Sequence, residues 1–281
     1  MAMDRVRIVL VAPAGPLNVG SVARVMKNFD LSQLYLVDPQ CDRLGTEALQ
    51  MAVHADDLLH SARCVQTIPE ALVGCEYAIA TTARTRGFDT SLDPPEIALP
   101  NLLLSESGKA RTSGTALIFG PEDRGLSNQE LTYAQQFLKI PTSDTYSALN
   151  LAQAVAICCY ELSQVSASLQ KPPSSGKQSE SVSLIAAKAE PQEQSSTKQN
   201  AKLEELEGYC QHLESLLLDV GYLHTHTSAS RMRKLRRILN RATLTSDEVA
   251  LLRGMIRQTE WALSQPNDHS SNHSNNANPN G

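Results

Sequence analysis

Over the first 160 or so positions the apolar residues fall into short runs, each stopped by glycine, proline or small polar residues. Residues 6–12 are β-branched and apolar almost without a break, which predicts a strand buried on both faces. Residues 13–20 hold two prolines and two glycines and read as a loop. Val22, Val25, Met26 and Phe29 then share one face of a helix over residues 20–29, with Asn18 placed to cap it. A second strand over 34–37 completes a βαβ unit. Short helical segments follow at 54–59 and 68–73, a strand at 77–81 running into a loop at 82–90, and a largely helical stretch at 94–104. Residues 116–119 form a clear strand, broken by 120–125, and Ser127 with Glu130 has capping-box spacing for a helix beyond. A strand at 137–140 stops at Pro141, and a helical pattern covers 147–163. Strands alternating with helices predict an α/β domain whose mostly parallel sheet is covered on both faces, with its ligand loops at the carboxyl ends of the strands.

The pattern changes after residue 170. Residues 171–202 are rich in Pro, Ser, Gln, Lys and Glu and read as a flexible linker, with 182–187 able to form a turn of helix. Leu203, Leu206, Cys210, Leu213, Leu217 and Val220 recur every three to four residues and predict an amphipathic helix. A second helix is expected over 231–240, and Thr245 with Glu248 opens a third that runs to about 263. The Asn-, Ser- and His-rich residues 266–281 lack core-forming side chains and read as disordered. The expected organisation is a catalytic domain over 1–165, the linker, a helical extension over 203–264 and a tail over 265–281.

Composition narrows the function. The 281-residue chain carries a net charge of −5, which speaks against a simple basic nucleic-acid binder. Charge is nevertheless concentrated locally: residues 231–241 hold five arginines and one lysine with no acidic residue among them, a field that attracts phosphate. The six cysteines form no Cys-x-x-Cys pair and are expected to be reduced and structural. His212, His224 and His226 reach no recognised metal spacing with Cys210, so no metal is expected. Without an apolar stretch long enough for a signal core or a membrane span, a soluble cytoplasmic protein is the expectation.

There is no Gly-x-Gly-x-x-Gly fingerprint, Walker loop, His-Glu-x-x-His motif or Gly-x-Ser-x-Gly elbow. The chemistry-bearing residues collect in three loop-to-helix segments. In the first, Asn18 through Arg24, the guanidinium of Arg24 either binds phosphate or pairs with a surface carboxylate. In the second, Phe119 through Asn128, two glycines bracket a charged turn behind a buried strand, shaping either a ligand loop that orients Glu122 or a plain turn. The third, Ile140 through Asn150, sets hydroxyl residues and Asn150 at a helix start, where backbone donors are open.

In this order the three segments resemble the signatures of the SPOUT superfamily, specifically the TrmH-like RNA 2'-O-ribose methyltransferases, and most closely the TrmJ family. The resemblance runs from Arg7 through Glu161, and residues 213–217 and 232–237 look like that family's helical extension. It implies a SPOUT-type parallel-sheet domain ending in a trefoil knot, S-adenosyl-L-methionine bound in the knot, and a homodimer with composite sites. The implied reaction is 2'-O-methylation of a cytidine or uridine ribose in the tRNA anticodon loop, at position 32. Carried onto this chain, the catalytic set is Arg24, Asn18, Glu122 and Asn150. The cofactor set is Thr81, Thr82, Ala83, Phe119, Gly120, Glu122, Gly125, Ile140, Ser147, Ala148 and Leu149. The wider family has serine directly before the Leu-Asn pair, where this chain has Ala148; Ser147 stands one residue earlier, as in the TrmJ branch. RNA contacts are expected from Arg24, Arg231, Arg233, Lys234, Arg236, Arg237 and Arg241. For the basic helix, Leu235, Ile238 and Leu239 offer a second reading as a packing stripe whose arginines form a solvated rim. A ribosomal RNA methyltransferase and a non-catalytic RNA-binding protein on the same fold remain the alternatives.

Overall fold

The structure is a computed structural model that describes residues 2–83, 91–105, 107–170 and 200–265. The linker reading falls largely on 171–199, and the tail reading on 266–281, outside the described residues. Among these residues seven strands, β1 (Val6–Val11), β2 (Gln33–Val37), β3 (Arg63–Val65), β4 (Cys75–Thr81), β5 (Leu92–Asp93), β6 (Gly114–Phe119) and β7 (Gln136–Leu138), form one sheet in the order β3-β2-β1-β6-β4-β7-β5. Every pairing is parallel, as the near-continuous apolar runs predict.

Alternation within the strands builds two separate cores. Ile8 and Leu10 of β1, Leu117 and Phe119 of β6 and Leu138 of β7 point to one face, while Val9, Val11, Ala116, Ile118 and Phe137 point to the other. The first face is covered by α1 (Pro16–Asn28), α2 (Thr46–Ala52), α3 (Asp56–Ser61), α5 (Pro95–Ala98), α6 (Pro100–Leu103) and α7 (Leu151–Gln170). The second is covered by α4 (Ile68–Ala71), the 3-10 turn Glu130–Tyr133 and Leu203. Burying each large aliphatic side chain of β1 contributes about 1.5–3 kcal/mol, so this central strand anchors the domain.

Several boundaries differ from the sequence reading. Helix α1 starts at Pro16, directly after Gly15, so Asn18 lies in its first turn and does not cap it. Proline at the first helical position leaves its missing N–H without consequence there. Gly20 is also a helix residue, and a Cβ at that position would overlap the Ala48 carbonyl oxygen; its role is to let α1 and α2 cross closely. Ser127 and Glu130 exchange the expected reciprocal hydrogen bonds, at 2.6 and 3.3 Å, but the element they open is a single 3-10 turn. Helix α7 begins only at Leu151, where Asn150 Oδ1 accepts from the N–H of Ala152 at 2.9 Å.

Beyond residue 199, α8 (Leu203–Asp219), α9 (Thr225–Ala242) and α10 (Ser246–Ser264) enclose a third core around Tyr209, Cys210, Met232 and Ile256. Thr245 and Glu248 form the full capping box ahead of α10. The three helices rest on the second face of the sheet domain. Glu204 accepts from the Gly74 N–H, and Asn240 Nδ2 donates to the carbonyls of Thr132 and Ala134 at 2.8 and 3.3 Å. Arg236 pairs with Glu207 and lies 5.5 Å from the centre of the Tyr133 ring.

Candidate active site

The three segments follow β1, β6 and β7 and come together at the carboxyl ends of these strands, beside the end of β4. Gly120 follows β6 directly, and a Cβ on it would overlap the backbone of Gly125 and Leu126, so only glycine lets the 120–126 loop fold back on itself. Gly125 closes that loop at φ +66°, in the left-handed region. The fold-back turns Glu122 toward the loop ahead of α1. Its carboxylate accepts from the backbone N–H of Ala14 at 3.3 Å, from that of Gly15 at 3.2 Å and from Asn18 Nδ2 at 2.8 Å. Asn18 Oδ1 in turn accepts from Asn150 Nδ2 at 2.9 Å. A single chain of hydrogen bonds therefore ties all three segments together.

Burial works against the charge on Glu122, but the donors from Asn18, its own N–H, Ala14 and Gly15 outweigh it and hold the carboxyl below its ordinary range. Glu122 is thus an anion at neutral pH. Arg124, two residues on, is held by Glu130 at 2.8 Å and is drawn away from Glu122.

Beside this network lies a cavity of about 210 Å3. Thr81, Thr82, Ala83, Phe119, Gly120, Glu122, Gly125, Ile140, Ser147, Ala148 and Leu149 all line it, so the structure gathers the whole expected cofactor set in one place. Leu126, Leu138, Leu151 and Ala154 complete its apolar wall, and Pro121, Asp123 and Arg124 its rim. Sequence reasoning does not find Leu138, although its place at the end of a buried strand was the available signal. It also misses the 38–45 loop, where burial, then the charges of Glu122 and Asp42, push the Cys41 thiol up, placing that loop near the network. Neither the backbone N–H groups of Ala14 and Gly15 nor the glycine that presents one of them carries a side-chain signal.

Arg24 is not brought to this cavity. It stands on the exposed face of α1, three helical residues beyond the part-buried Ser21 and on the same face as Leu17, which is 50% exposed. Tyr160 on the neighbouring α7 is 51% exposed and meets Phe29 edge-on at 6.3 Å between ring centres.

The basic run divides. Arg236 is drawn inward: burial opposes its charge, but the hydrogen bonds to Glu207 keep it firmly protonated. Its guanidinium is taken up between α8 and the Tyr133 ring. Arg231 donates to the Tyr222 carbonyl at 2.6 Å and lies over that ring. Lys234 and Arg241 are exposed, and Arg233 and Arg237 are half-buried. Leu235 and Leu239 pack into the third core, whereas Ile238 is exposed, so the packing stripe holds for two of its three members.

Among the described residues no group of His, Cys, Asp and Glu is arranged to hold a metal ion, and no helix is long and apolar enough to cross a membrane.

Residues 5–160 match the profile of the SpoU rRNA methylase family, and residues 204–269 that of the C-terminal domain of the tRNA methyltransferase TrmJ. The chain is 37% identical over 262 residues to the tRNA (cytidine/uridine/adenosine-2'-O-)-methyltransferase TrmJ of Pseudomonas aeruginosa, covering 92% of this chain and 95% of that one. It is 34% identical to the tRNA (cytidine/uridine-2'-O-)-methyltransferase TrmJ of Sodalis glossinidius, with 92% of each chain covered. The crystal structure of TrmJ from Z. mobilis superposes with a TM-score of 0.72 at 30% identity, over 90% of this chain and 98% of that one. With one profile on the sheet domain, the other on the helical extension, and near full-length likeness to both relatives, the chain belongs to the TrmJ branch of the SpoU methylase family.

Proposed function

We propose that this protein transfers the methyl group of S-adenosyl-L-methionine to the 2'-hydroxyl of a cytidine or uridine ribose in the anticodon loop of tRNA, at position 32. The observation that carries the reading is the Asn18–Glu122–Asn150 network, which ties the first family segment to a cavity lined by the second and third.

The cavity suits the cofactor in two respects. Leu126, Leu138 and Ile140 supply apolar wall for a purine, and the loop backbone with the Thr81 and Thr82 hydroxyls supplies polar groups. Glu122 and Asp123 at the rim favour a cationic sulfonium, while the charge of Arg124 is neutralised by Glu130. When bound, the cofactor supplies an activated methyl group, so no metal is needed. The loops that fold across the cavity, at 120–126 and 140–150, are the parts of the chain that would form the trefoil knot.

The chain's own task is to position a ribose hydroxyl and stabilise the oxygen as it loses its proton. Asn18 and Glu122 hold the loop ahead of α1 against the cavity, and Asn150 locks the start of α7 to the same point. Arg24 contacts an RNA phosphate and stabilises developing alkoxide. A guanidinium donates hydrogen bonds and has no acceptor site, so the proton passes to a phosphate oxygen or solvent. Arg24 lies on an exposed helix face beside Leu17, outside the cavity of its own chain. We therefore assign it to the cavity of a second copy, with Leu17 and Tyr160 on the faces of α1 and α7 that meet in a homodimer. Lys234, Arg237 and Arg241, with Arg231 and Arg233, provide the surface for the tRNA backbone.

The direct test is methyl transfer from labelled cofactor to tRNA and to ribosomal RNA, by the wild type and by Arg24→Ala. Transfer to tRNA alone, lost in a folded Arg24→Ala, is the expected result. Unchanged transfer by that variant removes Arg24 from the mechanism, and transfer to ribosomal RNA alone removes the tRNA assignment.

A further inference from the structure

A second cavity, of about 280 Å3, opens at the amino-terminal ends of β1, β2 and β3, the end of the sheet away from the methyl-transfer pocket. Arg7, Ser32, Gln33, Tyr35, Ser61 and Arg63 line it, and none of its described lining residues is acidic. We propose that this cavity is an anion site for the terminal phosphate of a small phosphorylated molecule, distinct from both the methyl donor and the RNA. The proposal does not rest on the methyl-transfer reading.

The first observation is a pair of positive charges with no counter-ion. Parallel pairing sets Arg7 of β1 opposite Gln33 of β2, and Arg63 of β3 opposite Tyr35 of β2. Both guanidiniums lie against the Tyr35 ring, at 4.7 and 5.7 Å from its centre. Among the described residues neither is paired with a carboxylate. Arg7 is held in place by neutral acceptors: Nε donates to Gln33 Oε1 at 3.2 Å, and Nη1 to the carbonyls of Ala71 and Val73 at 2.8 and 2.6 Å. These bonds orient its charge and leave it in place.

The second observation is a set of donors with nothing to donate to. Tyr35 is only 5% exposed, yet its hydroxyl makes no hydrogen bond to a described residue. A buried phenol ordinarily finds a partner, and here the cavity supplies the room for one. The N–H groups of Arg63 and the hydroxyl of Ser32 are likewise without an acceptor among the described residues. The other polar walls are already engaged, since Gln33 Nε2 donates to the Asp4 carbonyl and the Ser61 hydroxyl to that of Asp57. A phenol, a guanidinium fork and a hydroxyl facing one space suit a tetrahedral oxyanion.

The charge count selects the kind of phosphate. A terminal phosphate carries about 1.5 to 2 negative charges at neutral pH and can meet both guanidiniums from inside a recess. A phosphodiester carries one charge and has a sugar on either side. Gln33 is in this scheme a positioning residue, which aims Arg7 and does not touch the anion.

The test is calorimetric titration of the full chain with inorganic phosphate at about pH 7.5, where the dianion dominates. A Kd of about 1 mM or tighter is expected for the wild type, with a melting temperature that rises as phosphate is added. Arg63→Ala, at an exposed position, should bind at least tenfold more weakly, and Arg63→Lys, which keeps the charge without the fork, should fall between the two. Tyr35→Phe leaves the ring and both cation contacts and removes the unpartnered donor, so about a tenfold loss is expected with the melting temperature in the absence of phosphate kept. Methyl transfer to tRNA by Arg63→Ala should match the wild type. Phosphate binding that is absent, or equal in the wild type, Arg63→Ala and Tyr35→Phe, would show that the two arginines serve only to pack on Tyr35 and overturns the proposal. Displacement of phosphate by tRNA, or loss of tRNA affinity in Arg63→Ala, would give the cavity to the RNA backbone and overturns it as well.

Discussion

Asn18 donates from Nδ2 to Glu122 Oε1 at 2.8 Å across 104 residues of sequence, and the same asparagine accepts from Asn150. The pair makes Asn18 the central member of the network, since its side chain alone touches both of the other segments. Asn18→Ala should therefore loosen the site more than its surface position suggests. A loss of about 1–2 kcal/mol is expected, at the low end for charge-assisted hydrogen bonds because Glu122 is partly open to water. Cofactor affinity measured by calorimetry should fall together with melting temperature. Asn18→Asp should be worse, because it sets two carboxylates against each other.

The lowered pKa of Glu122 fixes the pH dependence of this contribution. A carboxyl whose folded pKa lies below its unfolded value stabilises the fold above the unfolded value, and that stability is lost as pH falls through the folded one. The difference in unfolding free energy between wild type and Glu122→Gln should therefore be constant from pH 7 down to about the ordinary value of 4.5, and should shrink only below it. Denaturant titrations at a series of pH values measure this; a difference that already disappears between pH 7 and 5 contradicts the arrangement.

Gly20→Val tests the close crossing of α1 and α2. A side chain there meets the Ala48 carbonyl, which is backbone and cannot rotate away. The expected cost is about 3 kcal/mol, at the upper end for overpacking, seen as a melting temperature lower by about 6–12 °C. Gly125→Ala, where space is open but φ is +66°, should cost only about 1–2 kcal/mol.

Thiol reactivity reports on the three cores separately. Burial pushes the Cys75 thiol to about 11, Cys159 to about 12 and Cys210 to about 11, and raises Cys158 as well. Cys64 is exposed, on the edge strand β3. In the native protein at neutral pH, a disulfide-exchange reagent should label Cys64 rapidly and Cys41 slowly, with the other four reacting only on unfolding. Mass spectrometry of the labelled peptides identifies them.

Placing Arg24 in the pocket of a second copy leads to a complementation test. Arg24→Ala and Gly120→Val homodimers should each lose at least 100-fold in transfer rate, the first through lost charge stabilisation and the second through a collapsed loop. A mixture exchanged into heterodimers should regain activity, because one of its two composite sites contains both intact residues. No regain in verified heterodimers would place Arg24 and the cavity in the same chain.

The strands and the cavity were legible in the sequence for one physical reason. Parallel strands buried on both faces are continuous apolar runs, and ligand loops lie at their carboxyl ends, so the location of the pocket follows from the runs, while Phe119, Ile140 and the other lining residues came from the family resemblance. Short or shallow elements leave no such trace. Strand β3 is three residues at a sheet edge with Arg63 and Cys64 exposed, and α2 buries mainly Ala48 and Ala52, too little for a hydrophobic stripe. Asn18 resembles a cap because it is an asparagine near a helix start, yet Pro16 marks the true first turn. The inward turn of Arg236 was illegible, because nothing in a run of six cations tells which one meets Glu207, 29 residues earlier.

Methyl transfer to a ribose is read most directly by nucleoside analysis of unmodified tRNA incubated with the protein and S-adenosyl-L-methionine. After digestion, mass spectrometry should show 2'-O-methylcytidine or 2'-O-methyluridine, mapped to a single position of the anticodon loop and missing with Arg24→Ala. A methyl group on a base, or no modified nucleoside in the presence of folded protein and cofactor, would contradict the account.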